Sequence, residues 1–132
     1  MKYSELTLRY FESAPGAGVL SGADAFRGAA GSRGRGTWVQ FDLQLSSGTI
    51  QAARFQAFGC PHTIAAAAWV VERAIGGVVR TALPETVEDL SKRFAVPVEK
   101  RGRLLIIEDA WAAVAAAAAA DPAGGEPLRG AT

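Results

Sequence analysis

Cysteine and histidine are almost absent from this 132-residue sequence, which contains one of each, Cys60 and His62. A single cysteine excludes a disulfide within the chain, and these two residues cannot supply the four ligands of a zinc finger. An excess of one charge is also lacking, since 14 Lys and Arg face 13 Asp and Glu. The formal net charge of +1 argues against nucleic-acid binding driven by bulk charge. A lone cysteine suits a reducing compartment, so we expect a cytoplasmic protein.

Long hydrophobic runs are missing too. The longest, residues 64–71 and 110–120, are shorter than the roughly 18 residues that a membrane-spanning helix needs. The N-terminus, Met1–Glu5, is polar and has no apolar core of the signal-peptide type. We therefore expect a soluble protein with no membrane partner. Its length and its 49% of hydrophobic residues suit one globular domain.

The hydrophobic patterns predict an α+β domain. Residues 37–45 and 50–58 alternate apolar and polar side chains around turn residues 46–49, which predicts an antiparallel hairpin. Helical spacing predicts helices over residues 3–12, 61–75, 84–94 and 104–120. Residues 21–36, rich in Gly, Ala and Arg, lack periodicity and are predicted to form a mobile loop. Helices on one side of a small antiparallel sheet are the expected architecture.

The same patterns assign the core and the surface. Alternation in the first strand places one set of side chains inside and the set between them outside. The inward set is Val39, Phe41, Leu43 and Leu45, and the outward set is Gln40, Asp42 and Gln44. The last helix directs Leu104, Ile107, Trp111 and Val114 to the core. Trp38 and Trp69 are expected to be buried as well.

Cys60 falls at a strand-to-helix boundary. Pro61 suits the first position of a helix, because its missing N–H would be unpaired there. Cys60 is therefore expected at or near the N-cap, with His62 exposed in the first turn. A helix N-terminus favours a thiolate over a thiol.

The segment Phe58–Ala66 resembles a motif of the NifU/IscU iron–sulfur cluster scaffolds, aromatic-Gly-Cys-x-x-x-Ile-Ala-Ser. Residues 3–5 and 10–13 resemble the opening of that family, residues 50–55 resemble its strand ending in Ala-Arg-Phe, and residues 108–110 resemble the Glu-Asp-Ala of its last helix. The similarity covers about residues 2–120. It implies a SufE/NifU (IscU)-like fold over residues 1–121, with a three-stranded antiparallel sheet whose third strand lies near residues 18–21. Residues 122–132 are then a flexible tail.

The resemblance also implies a function in iron–sulfur cluster assembly, without enzymatic activity, and a set of ligand positions. The family uses three cysteines and an Asp, with a His beside the third cysteine, and Cys60 matches the second cysteine. Arg35 falls at the first cysteine, Thr37 at the Asp, and Gly102 and Arg103 at the His-Cys pair. Arginine stays protonated and cannot ligate a metal. An iron–sulfur cluster or zinc ion, as the resemblance implies, would find one thiolate here, on Cys60.

A further family motif, the chaperone-recognition segment Leu-Pro-Pro-Val-Lys, is weakened. It corresponds to residues 96–100, where Val96 replaces Leu, Pro97 is kept, the second Pro is lost and Lys100 is retained. The partners that the resemblance implies are a cysteine desulfurase or other iron–sulfur assembly proteins.

Four roles for Cys60 and His62 stay open. Cys60 can be a small structural side chain. It can accept sulfur as a persulfide, if the family fold places Arg35 and Arg103 beside its thiolate. A homodimer could pool two copies of both residues as ligands. A Cys/His nucleophilic enzyme lacks an evident third orienting group. The main hypothesis is a scaffold-like assembly protein with Cys60 as sulfur acceptor, and the alternative is an interaction module that binds no cluster.

Overall fold

The computed structural model describes residues 2–22 and 24–120, and the predicted tail at residues 122–132 lies outside them. Within these ranges the elements follow in the order helix, three strands, three helices. They are α1 (Glu5–Ser13), β1 (Ala25–Ser32), β2 (Thr37–Ser46), β3 (Thr49–Phe58), α2 (Pro61–Ala74), α3 (Val87–Arg93) and α4 (Arg101–Ala119). Two 3₁₀ turns, Arg33–Arg35 and Val98–Lys100, precede β2 and α4. The predicted α+β class is confirmed.

The three strands form one antiparallel sheet in the order β1-β2-β3. Ser47 and Gly48 connect β2 to β3 with φ of 52° and 80°, the left-handed pair that a two-residue hairpin turn requires. Val39, Phe41 and Leu43 are fully buried, as their alternation predicts. The hairpin and its register are therefore the part of the fold that local pattern predicts best.

The position of the third strand was predicted wrongly. The region near residues 18–21 makes a single bridge, between Ala17 and Phe55, and is no strand. The strand is β1, within the stretch of residues 21–36 that was predicted to be a loop. Its small residues have low strand propensity, but they let α4 approach closely. A Cβ on Gly28 would lie 2.6 Å from the Cα of Val114, so this close packing depends on glycine.

The helices cover one face of the sheet. α4 packs against β1 and β2, α2 packs against β3, and α1 lies on α2. Leu104, Ile107, Trp111 and Val114 of α4 are all buried, as predicted. In the part of the chain described, no helix combines the length and the apolar character needed to cross a bilayer.

Several side chains differ from their predicted exposure. Asp42, predicted on the outward face, is 1% exposed and accepts two hydrogen bonds of 2.9 Å from Arg27. Trp69 is half-buried, with the guanidinium groups of Arg73 and Arg93 at 4.2 and 4.5 Å from its ring centre. Trp38 is also half-buried. These side chains take part in ion pairs and cation–π contacts, which hydrophobic spacing does not encode.

Two helices begin at residues other than those predicted. α3 begins at Val87, where Thr86 caps it through a hydrogen bond from the N–H of Asp89, and not at Pro84. α4 begins at Arg101 and not at residue 104, and the 3₁₀ turn Val98–Lys100 directly precedes it. This shift matters because it places Gly102 and Arg103 on a rigid element.

Candidate functional site

Cys60 is the N-cap residue of α2, as predicted. Its backbone is extended, with φ of −79° and ψ of 168°, and Pro61 begins the helix. β3 ends two residues earlier at Phe58, so the sheet and the helix together fix the position of Cys60. The side chain is half-buried, which leaves part of it open to solvent.

Several donors surround the Cys60 thiol. Its Sγ lies 3.7 Å from Oγ1 of Thr63, and the backbone N–H groups of Thr63 and His62 and the guanidinium of Arg103 also donate toward it. Burial raises the pKa of the thiol, but these hydrogen bonds outweigh burial and leave the pKa below its ordinary value. The helix start thus holds a cysteine with increased thiolate character. Thr63 was not predicted as part of this site, although its spacing of three residues from an N-cap could have suggested it.

His62 is buried, in contrast to the predicted exposed first-turn residue. Only 2% of it is exposed, and its ring packs edge-on against Tyr3 with ring centres 4.8 Å apart. Burial, followed by the positive charges of Lys100 and Arg103, lowers the pKa of His62, so the imidazole is neutral at pH 7. Among the described residues its Nδ1 has no hydrogen-bond partner. The exposure was mispredicted because it depends on the N-terminal segment, which folds over α2.

An open cavity of about 690 Å³ lies between the Arg33–Arg35 turn and the start of α4. The four positions that match family ligands all line it: Arg35, Thr37, Gly102 and Arg103. The remaining lining residues are Gly31, Ser32, Glu99 and Ile106. Arg103 links this cavity to Cys60, because it lines the cavity and its guanidinium is also one of the groups that lower the pKa of the thiol. The fold therefore brings together positions that are 68 residues apart in the sequence.

The residues of this cavity do not fit a metal ion or a cluster. Two of the four ligand positions carry guanidinium groups, which hold no lone pair for a metal. Over residues 2–22 and 24–120 no three His, Cys, Asp or Glu side chains are placed to share a metal ion. An iron–sulfur cluster needs several thiolates, and Cys60 supplies one. The chemistry that the cavity offers is cationic hydrogen bonding, with Arg103 linking it to the single thiol of Cys60.

The segment matching the chaperone motif lies directly before α4. Val96 is 7% exposed, while Val98, in the 3₁₀ turn, is 76% exposed. The ammonium group of Lys100 lies 5.7 Å from the ring centre of Tyr3. The retained lysine thus contributes to the surroundings of His62.

This fold and this cysteine position define the class of protein: a three-stranded antiparallel sheet, helices on one face, and a cysteine at the start of the helix that follows the sheet. The family of the NifU-like N terminal domain matches residues 2–121. The chain therefore belongs to that family, and the predicted family membership is confirmed.

Curated relatives agree with this membership. The chain is 26% identical over 110 residues to iron sulfur cluster assembly protein 1 of Trachipleistophora hominis, covering 82% of this chain and 80% of that protein. It is 31% identical over 75 residues to the iron-sulfur cluster assembly protein IscU of Plasmodium falciparum (isolate 3D7), covering 57% of this chain and 46% of that protein. The chain thus spans about half the length of the second relative.

Solved structures share the fold. An iron–sulfur cluster assembly scaffold protein for the SUF system from Fervidobacterium islandicum AW-1 superposes with a TM-score of 0.63 at 15% identity, over 83% of this chain and 93% of that one. The N-terminal part of a nitrogen-fixing NifU-like protein from Brucella abortus gives 0.59 at 14% identity, over 83% and 88%. The predicted fold is confirmed, and the interpretation of a scaffold-like protein fits both comparisons.

Proposed function

We propose that this protein takes part in iron–sulfur cluster assembly as a sulfur acceptor at Cys60 and holds no complete cluster among its own residues. The observation that carries the proposal is the group of donors around the Cys60 thiol at the start of α2, which lowers its pKa. The family membership supports a role in iron–sulfur cluster assembly. The substituted ligand positions support the absence of a complete cluster site in this chain. The cluster, in this proposal, is a product made with other proteins.

The hydrogen-bond donors around Cys60 favour the thiolate, which is the reactive form of this side chain. A thiolate is the nucleophile in sulfur exchange, and its fraction at neutral pH rises as the thiol pKa falls toward 7. Arg103 adds a permanent positive charge that stabilises the anion from the side of the cavity. Because Cys60 is half-buried, an incoming donor can reach it while bulk water is partly excluded.

The transfer step balances without an oxidant. The Cys60 thiolate attacks the outer sulfur of a persulfide on the donor, which is by resemblance a cysteine desulfurase. A new S–S bond forms on Cys60 as the S–S bond of the donor breaks, and the donor cysteine leaves as a thiolate. Cys60 then carries one sulfane sulfur, stabilised by the same N–H groups and guanidinium. The protein acts as a carrier in this step, and the lone thiol suits the reducing cytoplasm.

Labelled sulfur tests the proposal. The protein is incubated anaerobically with a cysteine desulfurase and cysteine labelled at sulfur, and intact mass and label are measured. Wild type should gain one sulfur atom, Cys60→Ala none, and Arg103→Gln should gain it several-fold more slowly. Arg101→Gln is the matched control, since Arg101 lies two residues before Arg103 in the same helix but donates to Ser91 at 3.2 Å and does not line the cavity. Equal labelling of wild type and Cys60→Ala would overturn the proposal.

Reconstitution with iron and sulfide tests separately whether the chain can hold a cluster. Wild type should show no cluster absorption in the visible range and no bound iron or zinc. If a cluster forms and is lost in Cys60→Ala, the protein is a cluster scaffold, and size measurements then decide whether a homodimer pools the ligands. If neither sulfur nor metal is bound, the interaction module remains, and the desulfurase or another assembly protein should bind the chain irrespective of Cys60.

A further inference from the structure

We infer that the cavity between the Arg33–Arg35 turn and α4 is a binding site for a tetrahedral oxyanion, held by Arg35 and Arg103. The inference goes beyond sulfur transfer, because it concerns the cavity itself and does not require Cys60 to react. The chemical class is that of phosphate and sulfate, whether as the free ion or as the charged end of a small molecule.

The shape of the cavity suits a small ligand. Its volume of about 690 Å³ lies in the range of about 300–1,000 Å³ that is typical of ligand sites. A Cβ built on Gly102 would meet no atom within 4 Å, so this wall of the cavity faces open space. Gly31, which also lines the cavity, packs so closely against α4 that a Cβ on it would lie 2.9 Å from Ile106. The lining is thus tightly packed at Gly31 and open at Gly102.

The donors come from different elements and meet in one space. Arg35 belongs to the 3₁₀ turn after β1, and Arg103 belongs to the first turn of α4. Ser32 accepts the backbone N–H of Arg35 at 3.2 Å, which leaves its hydroxyl hydrogen available to an anion. Thr37 adds a second hydroxyl to the lining. Guanidinium forks and hydroxyl groups are the side chains that bind tetrahedral oxyanions best.

The charges of the cavity favour an anion. Within the described ranges neither Arg35 nor Arg103 forms an ion pair within 4.0 Å, whereas Arg27 and Arg93 pair with Asp42 and Glu85. Glu99 is the one carboxylate among the lining residues, so the lining carries an excess of one positive charge. Glu99 should therefore oppose the anion, and its removal should strengthen binding.

Titration with phosphate, sulfate and chloride at constant ionic strength tests the inference by NMR and calorimetry. Phosphate and sulfate should give saturable shifts at the amides of residues 31–37 and 99–106, and chloride should not. Arg35→Gln and Arg103→Gln should each weaken binding about tenfold or more, the effect of losing a charge-assisted hydrogen bond. Glu99→Gln should tighten it.

Arg33→Gln is the matched control. Arg33 shares the turn with Arg35 and is also exposed, but its guanidinium lies 4.8 Å from the ring centre of Trp38 and outside the cavity lining. This variant should bind the anion like wild type. Shifts that stay linear with concentration, or an equal loss in Arg33→Gln and Arg35→Gln, would overturn the inference, because both outcomes report general screening of charge.

Cys60→Ala separates this inference from the proposed function. The variant should still bind phosphate saturably, since Cys60 does not line the cavity, and losing the thiol that interacts with Arg103 should not weaken binding. Anion binding that fails while Cys60 still accepts sulfur overturns the anion site alone. Because Arg35 is exposed on a turn, Arg35→Gln should fold normally and keeps the test decisive even if Arg103→Gln is unstable.

Discussion

Gly28→Ala should destabilise the protein strongly, although it adds one methyl group. Gly28 lies in β1 beneath α4, and a Cβ built on it would lie 2.5 Å from the carbonyl carbon of Ala113 and 2.6 Å from the Cα of Val114, with the Val114 nitrogen closer still. Carbon atoms in contact normally keep about 3.5 Å apart. The obstruction is backbone, so no rotamer change can relieve it, and α4 would have to move away from the sheet.

The cost follows from that movement. Overpacking a core typically costs about 1–3 kcal/mol, and we expect about 3 kcal/mol or more here because the whole helix must shift. That is a large share of the roughly 5–15 kcal/mol by which such domains are stable. The melting temperature should fall by roughly 10 °C. The movement would also displace Arg103, which α4 carries into the cavity.

Urea and thermal unfolding of Gly28→Ala measure the effect, with Gly102→Ala as the control. Gly102 lies in the first turn of α4, and its Cβ would meet nothing within 4 Å. Alanine there should leave stability unchanged or raise it by up to about 1 kcal/mol, because alanine favours the helix. If Gly28→Ala lies within about 1 kcal/mol of wild type, the close approach of α4 to β1 is refuted.

Three further predictions concern buried or paired polar groups. Burial lowers the pKa of His62, so the unfolded chain binds the proton more tightly than the folded chain does. The free energy of unfolding should therefore stay level just above about pH 6.5, and at lower pH it should decrease by up to about 1.4 kcal/mol per pH unit. A flat profile from about pH 7.5 to 5.5 would contradict this. Asp42→Asn should cost about 1–3 kcal/mol in urea unfolding, since a buried carboxylate that accepts from Arg27 and from the N–H of Leu20 at 2.8 Å is lost; an unchanged midpoint would disprove it. Glu85→Gln should cost less than about 1 kcal/mol by the same assay, because its partner is substantially exposed, and a larger loss would show that the pair is coupled to its surroundings.

Much of the site could be predicted, but for two different reasons. The position of Cys60 at the start of α2 follows from local chemistry, since Pro61 suits the first turn of a helix. The family resemblance led us to expect Arg35 and Arg103 beside Cys60. Both line one cavity, but of the two Arg103 alone is among the groups that lower the pKa of Cys60. Thr63 and Glu99 were missed, since hydrogen bonds and charges at a site depend on where elements end in space.

Exposure was the least predictable property. His62 was expected in solvent, yet Tyr3 covers it, and Asp42 was expected on an outer face, yet Arg27 pairs with it there. In both cases the covering residue belongs to another segment, so the alternation of the residue's own strand or helix carries no information about it.

The sequence by itself determined the hairpin of β2 and β3, the start of α2 and the core face of α4, because alternation, a Ser-Gly turn, a proline and helical spacing act between near neighbours. Only the tertiary structure decided that residues 25–32 form a strand. Their alanines and glycines have little strand preference of their own, and they become β1 because small side chains there let α4 pack directly on the sheet. The same docking places Arg103 where it lowers the pKa of Cys60 and lines a cavity together with Arg35, and so creates both candidate sites.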